Sequence, residues 1–251
     1  MTVSSEVGVA CYVYGITVAD LRLPDGLTGI GDQPVAVVPY GEVAAVTSAV
    51  DPTQSAARRA DLVAHSKVLD AVAAAGPVVP IRFGSILVDR SAVLTEVLEP
   101  SHDRFRAMLD ELAGYLQFTV RARYDERQVL TEVVAGNPEI ALLRAETREH
   151  PEESSYGARV RLGELVAAAL EEKRAVDGEQ VLAMLEPFAA AVNVREGAGL
   201  DQLIDVAFLV EEAQRAAFER AAEQVAKEFT GRARIKLVGP SPAYDFVDAE
   251  G

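Results

Sequence analysis

Gly76-Pro77-Val78-Val79-Pro80-Ile81-Arg82-Phe83-Gly84-Ser85-Ile86 lies between two stretches of helical pattern and holds one charge in an apolar run. A helix ends readily at glycine and cannot continue through proline, so an extended strand is expected over Pro77–Phe83. Arg82 must be paired or reach solvent, because an isolated buried charge is very costly. Asp61, Asp70 and Asp89 are candidates for an internal ion pair; an anion or a partner's carboxylate is the alternative. Upstream, a helix is expected from about Ser55 to Ala75, with Leu62, His65, Leu69 and Val72 on its inward face. Downstream, a helix runs from about Asp89 or Ser91 to Ala113, with a break at Pro100.

Working outward, the first part of the chain mixes strands and helices. Val9–Ile16 is β-branched and aromatic, ending near a glycine. Val35–Pro39 and Val43–Thr47 flank Tyr40-Gly41-Glu42 and read as a hairpin. Tyr115–Tyr124 alternates as a further strand. Residues 1–125 therefore form an α+β domain. Residues 126–155 read as a helical connector, with helices over Asp125–Ala135 and Pro138–Glu149. Residues 156–251 form a second, smaller α+β domain with a C-terminal tail. Its expected elements are a helix over Tyr156–Lys173, a second opening at Gly178, and strands over Ala189–Arg195 and Leu203–Val210. A helix over Glu211–Phe229 and a strand over Arg232–Gly239 follow.

Composition excludes several roles. A net charge of -15 disfavours nonspecific nucleic-acid binding, which needs basic side chains to displace phosphate counterions. It also disfavours an anionic membrane surface. Met1–Glu6 lacks the pattern of a signal peptide, and no apolar run reaches the roughly 18 residues of a membrane span. Cys11 is the single cysteine, which fits a reducing compartment. A soluble cytoplasmic protein is expected. With three histidines and one thiol a zinc site is discounted, and no cofactor is implied.

Each chemical candidate has a plainer reading. His65 is a possible general base, yet its apolar helical face favours a hydrogen-bonded packing histidine. Gly26, Gly29 and Gly31 are a loose relative of phosphate-cradling loops, but a strand rather than a helix follows, so they read as a loop. Glu152-Glu153, Glu171-Glu172 and Asp248–Glu250 read as solvated surface. Phe208, Val210, Phe218 and Phe229 read as core. Arg232, Arg234 and Lys236 form a basic row suited either to an acidic partner or to this chain's own acidic helices.

Together these motifs resemble the gas vesicle protein GvpL/GvpF family. The resemblance rests on Tyr12, Tyr14, Gly15 and Ile16 of the opening strand and on His65. It rests also on Val78, Pro80, Arg82, Phe83 and Gly84, and on Gly239, Pro240, Pro242, Tyr244 and Phe246 near the end. Ser241 and Ala243 stand where Trp and a second Pro are common in the family. The resemblance implies two α+β domains, the first a ferredoxin-like sheet with helices on one face. It implies a non-enzymatic structural or accessory role in gas vesicle assembly, located at the gas vesicle in the cytoplasm. The implied partners are the small hydrophobic shell subunit (GvpA type) and other accessory proteins, not nucleic acid or membrane. In that reading the protein limits aggregation of the shell subunit during nucleation, with an exposed sheet edge available for strand addition. The alternative is an anion- or small-molecule-binding module or enzyme, in which Arg82, His65 and a carboxylate would converge on one cleft.

Overall fold

The computed structural model describes residues 9–51, 58–151, 154–195, 199 and 201–247. The expected helix start near Ser55, the Glu152-Glu153 pair, the Asp248–Glu250 tail and Met1–Glu6 lie outside these residues. The chain is α+β and divides into two compact units, Met1–Gln117 with Pro240–Gly251, and Phe118–Gly239.

In the first unit, β1 (Cys11–Val18), β2 (Val35–Tyr40), β3 (Val43–Ala49) and β4 (Val78–Pro80) lie in the order β2-β3-β1-β4, and β5 (Ile86–Leu87) also pairs with β1. β1 pairs antiparallel with β3, β4 and β5, and β2 pairs antiparallel with β3. The β2–β3 hairpin closes through Gly41-Glu42, with Gly41 at φ +56, the sign that two-residue hairpin turns require. A ferredoxin-like succession would need a crossover helix between β1 and β2; residues 19–34 instead form a loop with a 3-10 turn at Ile30–Asp32. Helix α1 (Arg59–Ala73) buries His65, Val68, Leu69 and Val72 against the sheet. Leu62, expected inward, is 49% exposed, whereas Val68, six residues on, is fully buried.

A helical run then passes from α2 (Arg90–Ala92) through π-helical turns at Val93–Leu98 into α3 (Glu99–Leu112). Asp89 caps it by accepting from the Ala92 amide at 2.8 Å. The expected break at Pro100 takes the form of this widened segment: proline removes a donor, and the helix accommodates the loss without ending.

The second unit contains the β-α-β-β-α-β succession. β6 (Tyr115–Tyr124) leads to α4 (Glu126–Gly136), α5 (Pro138–Glu149) and α6 (Tyr156–Leu185), then β7 (Ala191–Val194), β8 (Gln202–Glu211), α7 (Arg215–Glu228) and β9 (Ala233–Ser241). Sheet order is β7-β8-β6-β9. Asp125 and Asn137 cap α4 and α5. The separate helix expected from Gly178 does not form. Asp177 and Gly178 are buried within the continuous α6, where Gly178 faces Ile204 of β8. Phe118, Phe208, Phe218 and Phe229 are fully buried, and Phe118 and Phe208 each stand 5.2 Å from Phe218, so the aromatics are core.

Candidate functional site

Tyr12, Tyr14, His65, Phe83 and Gly84 come together in the first unit. Both tyrosines project from β1 and are fully buried. A buried hydroxyl is costly unless it is hydrogen-bonded, and each of these is. The Gly84 amide donates to the Tyr12 hydroxyl at 2.9 Å, and that hydroxyl lies 3.0 Å from His65 Nδ1. The amide donates to the phenol oxygen, whose own proton has Nδ1 as its acceptor; on this basis we assign the His65 proton to Nε2. Burial pushes the Tyr12 phenol up to about 12 and the His65 imidazole down to about 4, so both are neutral near pH 7. Tyr14 accepts from the Ile30 amide at 2.8 Å and bonds Ser48 Oγ at 2.8 Å. A methyl group at Gly29 would overlap the Tyr14 hydroxyl, which explains a glycine in this loop without any phosphate.

The network holds one turn. Gly84 adopts φ +94, a left-handed conformation that glycine reaches without strain. The Arg82 carbonyl accepts from Ser85 Oγ at 2.8 Å and the Ser85 amide at 3.3 Å. Phe83 packs edge-on against His65 at 5.5 Å. The expected strand is thus cut to Val78–Pro80, and 81–85 form a clasped turn. Arg82 is exposed on it, and its guanidinium has no hydrogen bond or ion pair among the described residues. The expected pairing with Asp61, Asp70 or Asp89 is not made, because the turn directs the side chain to solvent.

Arg82 stands instead at the rim of a cleft of about 470 Å³ between β4–β5 and the helical run. Val79, Ile86, Phe105 and Met108 give the cleft an apolar lining, and Glu96 and Arg104 also border it. His65 is not among its walls, so Arg82, His65 and a carboxylate do not converge on it. Among the described residues, no group of three or more His, Cys, Asp or Glu is placed to hold a metal ion.

Strand addition is hindered at both ends of this sheet. The Val35 amide bonds Leu27 at 3.0 Å, outside the β2–β3 pairing, so positions 35, 37 and 39 face outward on β2. The Ile81 amide bonds Tyr14 of β1 at 2.9 Å, so position 80 faces outward on β4. Pro39 and Pro80 therefore each remove one outward N–H from an edge strand, a common protection against edge pairing.

The C-terminal motif is clamped by Gln117, which sequence reading passed over. This buried amide accepts from the Asp245 backbone N–H at 3.0 Å, and its Nε2 donates to the Asp245 carboxylate. Ala243 and Pro242 are buried and Phe246 half-buried, while Gly239, Pro240 and Tyr244 are exposed. A polar amide inside the alternating β6 pattern was the available signal. The cleft residues Phe105 and Met108 gave only a weak one, an apolar pair three apart in a charged helix.

In the second unit, Arg232 leaves the expected basic row. Its Nη2 donates to both carboxylate oxygens of Asp177 at 3.0 Å, leaving Arg234 and Lys236 exposed. Among the described residues, no helix is long and apolar enough to cross a membrane.

The family model described as gas vesicle synthesis protein GvpL/GvpF matches residues 10–248. Gas vesicle protein F of Streptomyces sp. (strain CB03234) is 34% identical over 244 residues, covering 96% of this chain and all of that protein. The crystal structure of GvpF from Anabaena sp. PCC7120 superposes with a TM-score of 0.82 at 22% identity, covering 96% of this chain and 99% of the other. GvpF from Microcystis aeruginosa gives 0.78 at 23% identity, covering 95% and 98%. The structural matches establish the fold. The full-length family match carries the assignment: the chain belongs to the gas vesicle GvpL/GvpF family.

Proposed function

We propose that the chain shelters apolar surface of the small gas vesicle shell subunit (GvpA type) in the cleft of its first unit, limiting aggregation until shell contacts replace its own. Family membership gives a role in gas vesicle assembly. The carrying observation is the open cleft with Phe105 and Met108 half-buried in its wall. Apolar concavities with a few polar groups are where ligands and partners dock. The proline-blocked edges favour capture by side chains over strand addition, and the buried neutral His65 is poorly placed for acid–base chemistry. The net charge of -15 keeps a loaded complex self-repelling in solution. The work is done in the cytoplasm, on the growing vesicle and with its other accessory proteins, without membrane or nucleic acid.

The test is sedimentation. Denatured shell subunit is diluted into buffer with the full chain or its Phe105→Asp variant, and the pelleted fraction is measured. The wild type holds the subunit in the supernatant and the variant does not. A wild type that leaves the pellet unchanged refutes the proposal.

A further inference from the structure

We infer that Arg82 is a recognition residue, pairing with a carboxylate that the partner presents beside the apolar side chain it seats in the cleft. The inference rests on the capture reading and adds its chemistry. No described acidic residue pairs with Arg82, so its guanidinium is open to a partner's carboxylate, whose geometry its planar fork of donors matches. The side chain lies at the rim of the same cleft that Phe105 and Met108 line. An unpaired guanidinium beside an apolar wall complements a segment carrying both a bulky apolar group and an acid.

The turn beneath Arg82 is built for rigidity. Tyr12 holds the Gly84 amide, His65 holds Tyr12, and Ser85 ties back to the Arg82 carbonyl. Two elements distant in sequence, β1 and α1, together with a bond inside the turn, thus fix the backbone of one exposed cation. Preorganisation of this kind lowers the ordering cost of forming a bidentate ion pair. It gives the Tyr12, His65 and Gly84 motif a purpose besides packing: those residues position, and Arg82 contacts. Glu96, exposed and also bordering the cleft, would repel an acid placed wrongly, which adds orientation.

The sedimentation assay supplies the test, read as the concentration of full chain needed to keep half of the shell subunit in the supernatant. Arg82→Glu is expected to raise that concentration about fivefold or more at low salt, and Arg82→Lys about twofold at most. Raising salt should erase most of the difference, as befits a rim charge. Arg59→Glu, an equal charge change on exposed α1 away from the cleft, should have no effect. Unchanged circular dichroism would show that the fold survives each substitution. If Phe105→Asp abolishes capture while Arg82→Glu matches wild type, or if Arg59→Glu weakens capture equally, the inference is overturned and the capture reading stands. If wild type captures nothing, the capture reading fails first.

Discussion

The two units bury polar groups in opposite ways. The first interior holds a neutral network, in which Tyr12, Tyr14, His65 and Ser48 bond one another or backbone amides. The second holds a charged one. Asp177 accepts from Tyr124 at 2.7 Å and from Arg232, with Lys173 at 3.5 Å. Glu132 meets Lys173 at 2.8 Å and Arg232 at 3.4 Å. Burial, then the bond to Asp177, pushes the Tyr124 phenol far up. For Glu132 partial burial works upward, but Lys173, Gln128 and Arg232 outweigh it and hold the carboxyl below its usual range. The charged network uses its cations internally to tie α4 and α6 to the end of β6 and the start of β9. The neutral one needs no cation, and its neighbouring arginine stays available.

This contrast can be broken most severely at Asp177. Asp177→Ala leaves Arg232 and the Tyr124 hydroxyl without their buried acceptor, and is expected to cost about 3 kcal/mol in urea denaturation. A loss of under about 1 kcal/mol would mean that the ion cluster is incidental to the fold.

The neutral network should show itself through pH. The His65 imidazole is held near 4 in the folded chain against 6.5 for the free side chain. Between those values the unfolded chain binds a proton that the folded one refuses. Stability from His65 is therefore full above about pH 6.5 and declines as pH falls toward 4, by about 3 kcal/mol in all. His65→Gln, which can still bond Tyr12, should remove that component from the stability-versus-pH curve. An unchanged curve would show that His65 titrates normally.

Tyr12→Phe is a milder perturbation. It strands the Gly84 amide and His65 Nδ1 and should cost about 1–2 kcal/mol. Arg82→Ala, at an exposed side chain with nothing to lose inside the fold, should leave the urea midpoint where it was. A large stability loss at Arg82 would erase the distinction between a positioning network and the residue it presents.

Much of this was legible in the chain. Tyr115–Tyr124 is observed as β6 with those bounds, because ten alternating residues leave little choice of register. Pro138–Glu149 likewise starts at its proline and its Asn137 cap. Misreadings arose where tertiary contact overrides local pattern. Gly178 reads as a helix boundary but lies buried inside α6, facing Ile204 of β8. Leu62 fits the apolar stripe of α1, yet the sheet meets the helix along Val68 instead. The strand through Arg82 ends early because Tyr12, 72 residues away, bonds the Gly84 amide and holds the turn. Of the cleft only the Phe105–Met108 pair left a trace in the sequence, since its two walls come from segments that meet only after folding.

The most direct measurement is site-specific photocrosslinking during vesicle assembly, with the probe at Met108 in the cleft or at Leu142, which is 71% exposed on α5 of the second unit. The account predicts a shell-subunit adduct from Met108 and none from Leu142. An adduct from Leu142 alone would contradict it.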